Sequence, residues 1–343
     1  MRPLRVCIYG GTNIDGTPSK FISELSYRIL KSFPAIIITG GFLHFHKEPA
    51  AISTDVAALQ GATRYSKENG IALKECFEAW VPDPILDERP DIEGAVRMKA
   101  DDGIPVHIVH GRTPLGRRLA MVAAVDLVVT ISGRKHTEVV VEQSLELGIP
   151  ILPIPFASGD SETLLTKYSQ RIAAAFQSGA LDKCLQELST TFNTDQERGA
   201  AAVVELIKTA KLGRCLILQP FDDWHNDKYA TIIKPTVASH MFPVRLNELP
   251  ASEAIYTSFA KAIRTSIAII ADITELNENV MYEIGYAHGL DLIPLLFTRE
   301  ESRLSTLPVY FKTLNVILAP DDEFLKKIIN EYLISIKAKR EKF

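Results

Sequence analysis

The chain is punctuated by short, unbroken apolar runs, and each one ends in a glycine or acidic turn that leads into a helix-like segment. VCIY at Val6–Tyr9, AIII at Ala35–Ile38, LVVT at Leu127–Thr130, CLIL at Cys215–Leu218 and IAIIA at Ile267–Ala271 are the clearest. An exposed strand alternates apolar and polar residues, whereas a strand covered on both faces does not. Repeated alternation of such strands with helices therefore predicts parallel sheets between two helical layers. The fold class expected is α/β: two Rossmann-like three-layer domains with mostly parallel sheets. With 343 residues, the chain has room for two cores.

The organisation expected is a nucleotide-binding domain over 1–180, a helical linker over 181–210 that docks on the first domain or bridges the two, and a second α/β domain over 211–343. The proline- and acid-rich stretch Cys76–Gly103 reads as an irregular excursion with short elements. Helices are predicted over Leu164–Ser178, over His225–His240 with a break at Pro235, and over Ser252–Arg264.

Composition narrows the function classes. Apolar residues make up 46%, charged residues 23%, and the formal net charge is −4. That balance favours neither nucleic acid nor an anionic membrane. It does not exclude a small anionic ligand, because backbone N–H groups at helix starts bind phosphate without net positive charge. The four cysteines, Cys7, Cys76, Cys184 and Cys215, are scattered and form no CxxC pair, which predicts buried free thiols in a reducing, cytoplasmic setting. The opening residues read as a strand and turn rather than a signal peptide, and no apolar run approaches the roughly 20 residues needed to cross a bilayer.

In the first half, three turns follow strands: Gly10–Gly11–Thr12, Gly40–Gly41, and Ser132–Gly133–Arg134–Lys135–His136–Thr137. Glycine lets backbone approach a ligand, and a helix beginning after such a turn offers free N–H groups. Thr137 is placed to cap, and Arg134 and Lys135 add charge. Together these turns predict a nucleotide-type pocket.

In the second half, the strand IAIIA runs into an acidic loop and then a helix, giving ADITELNENVMYEIGYAHGL over Ala271–Leu290. The 3.6-residue period buries Val280, Ile284 and Ala287 and puts Glu283 beside that face. Asn277 or Asn279 can cap the helix. A carboxylate in a partly apolar pocket can attack or shield a cationic anomeric carbon, or act as a general base on water. Asp272 is a candidate ribose partner, and Tyr282 or Tyr286 a wall for a base. A catalytic Glu283 should line one cleft with Phe221, Asp223 and Asp272. The spacing of His, Cys and Asp supports no metal site, and no cofactor is required.

Two resemblances extend these readings. Residues 3–178 resemble the SLOG superfamily, which includes the Lonely-guy phosphoribohydrolases and nucleotide-sensing domains of bacterial defence proteins. GGT at Gly10–Thr12, TGG at Thr39–Gly41 and DLVVTISGRKHTE at Asp126–Glu138 carry it. It implies that Arg117 stands where the hydrolases have an important arginine and Glu138 near their catalytic glutamate. SGRKHTE departs from their PGGxGTxxE-like loop, so the resemblance implies sensing before hydrolysis.

Residues 211–343 resemble nucleoside 2-deoxyribosyltransferase-like and TIR-like bacterial proteins, through LILQPFDD at Leu216–Asp223, IIKP at Ile232–Pro235, the Ala271–Leu290 segment and LIPLLF at Leu292–Phe297. That resemblance implies that Glu283, in EIGYA, acts on the anomeric carbon of a nucleoside or of NAD as substrate. NENVMY replaces the transferases' glycine-bearing loop. The two resemblances together imply small nucleotide or nucleoside ligands, a homo-oligomer, and a defence setting. The alternatives are a non-catalytic nucleotide-binding protein and a Lonely-guy-type hydrolase working through the first domain.

Overall fold

The computed structural model describes residues 3–87, 94–248, 255–307, 311 and 314–341. The chain divides into two compact units, 1–210 and 211–343.

The first unit runs β1 (Leu4–Gly10), α1 (Thr17–Ser32), β2 (Ala35–Thr39), β3 (Phe42–Phe45), α2 (Thr54–Asn69), β4 (Phe77–Pro82), β5 (Ala95–Arg97), β6 (Val106–Val109), α3 (Pro114–Ala123), β7 (Leu127–Ile131), α4 (His136–Glu146), β8 (Ile151–Ile154), α5 (Asp160–Lys167), α6 (Ser169–Ala174), α7 (Ala180–Thr191) and α8 (Gln196–Lys208). Six strands form a parallel sheet in the order β6-β4-β2-β1-β7-β8, and β3 pairs antiparallel with β5. The chain leaves β1 for β2 on one side, while β7 lies on the other. The carboxyl edge between β1 and β7 is thus a topological switch point, where open α/β sheets bind ligands. It carries Gly10–Gly11 and Ser132–Gly133.

Two expectations are corrected here. Phe77–Pro82, read as irregular, is a full strand between β2 and β6. Its sequence, FEAWVP, breaks the apolar run with Glu78, whose charge is met by Arg5 of β1 at 2.9 Å. The Leu164–Ser178 helix is two helices, α5 and α6. The segment expected as a linker packs into the first unit: Phe192 lies against Phe21 of α1 (ring centroids 4.9 Å), and Glu197 pairs with Arg28.

The second unit runs β9 (Arg214–Leu218), α9 (Asp223–Lys228), a π-helical turn (Tyr229–Ile233), α10 (Lys234–Ala238), β10 (Phe242–Val244), α11 (Ile255–Thr265), β11 (Ala268–Asp272), α12 (Glu278–His288), β12 (Leu295–Thr298), α13 (Glu301–Thr306), β13 (Val316–Leu318) and α14 (Asp322–Glu341). Pro235 cannot donate to the helical ladder, and the wide turn immediately before it is where the helix yields. Of the expected Ser252–Arg264 helix, residues 252–254 lie outside the described residues.

The second sheet is parallel, in the order β10-β9-β11-β12-β13. Strand alternation divides its apolar residues between two cores. Cys215, Ile217, Ala268 and Ile270 meet Ile233 and Val237 of the first helical layer and Ile329 and Leu333 of α14. Leu216, Leu218, Ile269 and Ala271 meet Phe259 and Ile263 of α11 and Val280, Ile284 and Ala287 of α12. The second switch point lies between β9 and β11. All four cysteines are free and buried. No described helix is long and apolar enough to cross a membrane.

Candidate functional site

At the second unit's switch point, the loop after β9 is held from several sides. Gln219 donates from Nε2 to the His225 carbonyl (2.7 Å). The buried Arg245 donates to the Pro220 carbonyl (2.6 Å) and to Asn226 Oδ1 (2.7 Å), with its guanidinium against the Phe221 and Tyr229 rings. Phe221 remains 52% exposed, and Asp223 is exposed in the first turn of α9. Asp222 caps α9, accepting from the His225 backbone N–H (3.0 Å) through Oδ1, while Oδ2 lies 2.6 Å from His225 Nδ1.

His225 is 1% exposed, and its Nε2 lies 3.8 Å from Asp272 Oδ2. Asp272 ends β11. Its Oδ1 accepts from the backbone N–H (2.9 Å) and hydroxyl (2.6 Å) of Thr274, whose Oγ1 accepts from the Arg299 N–H (3.0 Å). Burial pushes the Asp272 carboxyl up, against the pull of the Thr274 hydrogen bonds and the His225 and Arg299 charges. At Asp222 partial desolvation acts in the same upward sense, but the hydrogen bonds from His225 prevail and hold it below the usual carboxylate range. The exposed Glu275 completes a group: donor atoms of Asp222, His225 and Glu275 all lie within 4.8 Å of one another.

Glu283 stands on α12, which leaves the same edge. Asn277 caps that helix, accepting from the N–H groups of Asn279 (3.0 Å) and Val280 (3.3 Å); Asn279 itself is exposed. Val280, Ile284 and Ala287 are buried, as the periodicity predicts. Glu283 is half-buried, and burial alone pushes its carboxyl up to about 7. No hydrogen bond or ion pair from another described residue reaches it. Tyr282 is 59% exposed, whereas Tyr286 packs against Phe259 (5.3 Å) and accepts from Arg264 (3.5 Å).

An open cleft of about 690 Å³ on this unit is lined by Trp224, Lys228, Arg299, Pro320 and the acidic run Asp321–Glu323. Lys228 and Arg299 both pair with Asp322, at 3.1 and 2.8 Å. Phe221, Asp223, Asp272 and Glu283 are not among its walls. The structure thus brings Asp272 to Asp222 and His225, and puts Glu283 on the neighbouring helix. Sequence reading missed His225, Glu275 and Arg245. A D-x-x-H spacing at Asp222–His225, one helical turn, was the available signal for the first.

In the first unit, Gly10 and Gly11 lie against β7. A Cβ on Gly10 would overlap the Ile131 carbonyl oxygen. Gly11 donates to that oxygen (3.1 Å), and its own carbonyl accepts from the Thr54 N–H and hydroxyl, both at 3.0 Å. Thr12 is exposed. The Gly40–Gly41 turn meets Arg117, whose guanidinium a Cβ on Gly40 would strike. Arg117 is buried facing the Tyr9 ring, and among the described residues its Nε has no hydrogen-bond partner. Burial lowers its pKa and raises that of the neighbouring Asp55.

Gly133 sits at φ +90°, flanked by Ser132 and Lys135, also in the left-handed region. Thr137 does not cap α4: it lies in the first turn with its side chain packed under Gly133, and Lys135 holds the N-cap position. Arg134 is exposed. Glu138 pairs with Lys167 at 2.9 Å, a different charge environment from that of Arg117.

No protein-family profile matches the chain, and no curated protein matches it. Solved structures are similar to part of it, two of them as follows. One is TM1055, a structural-genomics target, at 17% identity and a TM-score of 0.34, covering 48% of this chain and 81% of that one. The other is DNA processing protein A from Helicobacter pylori, described for its single-stranded DNA binding mode, at 14% identity and a TM-score of 0.31, covering 49% and 74%. Similarities of this size say nothing about what this chain binds or does.

Proposed function

We propose that the second unit is an N-glycosidase acting on NAD or on a nucleoside or nucleotide, with Glu283 as its catalytic carboxylate, and that the first unit binds a nucleotide as a sensor. The observation that carries this reading is a half-buried carboxylate with no partner among the described residues, on the helix that leaves the switch-point edge. Breaking an N-glycosidic bond builds positive charge at the anomeric carbon. An ionised Glu283 offers a poorly solvated negative charge to that carbon, either attacking it or shielding it until water adds. Asp222, held ionised beside the exposed ring of Phe221, fits the approach of a ribose and base. In the first unit, the buried Arg117 beside Gly40 fits an anionic group that would complete its hydrogen bonds. In this reading the chain is a homo-oligomeric effector of bacterial defence, and its ligands are small nucleotides.

The test is incubation with NAD, nucleoside monophosphates and deoxynucleosides, following release of nicotinamide or free base, for the wild type and Glu283→Gln. Release by the wild type and its loss in a folded variant support the reading. Equal release by both rejects Glu283. A second reading is binding without turnover, through the exposed ring of Phe221 and the ionised Asp222. Binding of nucleotides without release of base would support it, and single-stranded DNA belongs in the same panel. The phosphoribohydrolase reading needs Glu138 to converge with Arg117 near Gly10–Gly11, and would require Glu138 to leave its half-exposed pairing with Lys167.

A further inference from the structure

We propose that Asp222, His225 and Glu275 bind a divalent first-row metal ion at the carboxyl edge between β9 and β11. Their donor atoms lie within 4.8 Å of one another, although Glu275 comes from a different strand's loop than the other two. Two carboxylates and one imidazole form an oxygen–nitrogen set that suits Mn²⁺, Co²⁺ or Zn²⁺ rather than thiolate-seeking ions. Asp222 and Glu275 are exposed, so the ion would keep positions open to water or to a ligand oxygen.

The second observation is His225 itself. Its imidazole is 1% exposed, yet Nε2 has no hydrogen-bond partner among the described residues. Helix capping accounts for Nδ1 and Asp222 but not for the approach of Glu275. A metal-binding histidine turns its other ring nitrogen towards a carboxylate, which fixes the ring and makes it a stronger ligand. Asp272 stands there: its Oδ1 is tied to Thr274, and its Oδ2 faces Nε2 at 3.8 Å, a gap that closes to a hydrogen bond with a small ring movement. Asp272 is therefore a positioning residue; Asp222 and His225 sit at the capped start of α9, and Glu275 in the loop between β11 and α12.

The experiment uses the full chain, stripped with chelator and dialysed. MnCl₂ and, separately, ZnCl₂ are titrated by calorimetry, and free Mn²⁺ is followed by electron paramagnetic resonance. The expected result is one ion per chain, with affinity falling roughly tenfold or more in Glu275→Gln. His225→Gln removes a buried ring and can unfold the unit. Glu275 is exposed, so Glu275→Gln, checked by circular dichroism, keeps the test decisive. Absence of binding by both ions to the wild type overturns the proposal, as does unchanged affinity in a folded Glu275→Gln. The readout is ion binding, so it stands or falls independently of base release and of Glu283.

Discussion

His225 Nε2 and Asp272 Oδ2 face each other at 3.8 Å across the β9–β11 switch point, both buried. The facing pair joins the loop after one strand to the end of the next, and Thr274 and Arg299 extend the link to β12. This edge of the sheet is therefore built as one polar network, not as separate loops.

Replacement of Asp272 tests that network. Asp272→Asn keeps an oxygen for both Thr274 donors and is expected to stay within about 1 kcal/mol of wild type. Asp272→Ala strands those donors in a buried setting and should cost roughly 1–3 kcal/mol. Urea unfolding of both variants measures the difference; equal losses would show that the hydrogen bonds contribute nothing.

The Glu283 carboxyl gives a pH signature. Its folded pKa is raised, from 4.5 to about 7, so its contribution to stability is fully present below pH 4.5 and is lost as pH rises through 7. Glu283→Gln carries no charge at any pH. It should therefore match wild type near pH 4 and exceed it at pH 8, by at most about 3 kcal/mol. Chemical unfolding at the two pH values measures this, and a variant weaker than wild type at pH 8 would contradict it.

Activity should move the opposite way. An attacking or shielding carboxylate must be ionised, so base release should rise with pH through about 7 and then level off. Glu283→Gln should lower it by roughly a hundredfold or more. A rate that falls through that range would mean that the protonated acid is the working form.

Gly10→Ala should destabilise the first unit by about 1–3 kcal/mol, because the new Cβ meets the Ile131 carbonyl oxygen rather than a side chain that can turn away. The shift appears in the thermal or urea midpoint.

Arg117→Met bears on both binding and folding. The guanidinium is buried; among the described residues its Nε is unpartnered and its Nη1 donates to the Met121 sulfur. Exchange for an apolar chain of similar length removes the positive charge beside the buried Asp55 and should lower stability by roughly 3 kcal/mol. It should also remove nucleotide binding by the first unit, measured by calorimetry. Undiminished binding would place the anion elsewhere.

The amino-acid order by itself determined the α/β class, the buried strands and the buried face of α12, because unbroken apolar runs and the 3.6-residue period are written within windows of ten or so residues. It also identified the glycine turns, since only a missing Cβ permits Gly10 against Ile131. Tertiary structure alone decided that Phe77–Pro82 enters the sheet, because the partner of Glu78 is Arg5, far away in the chain. It likewise decided that Thr137 packs under Gly133 instead of capping, and that Asp222, His225, Asp272 and Glu275 share one edge. Those meetings depend on strand order and on which crossover passes which face, and no local period encodes either.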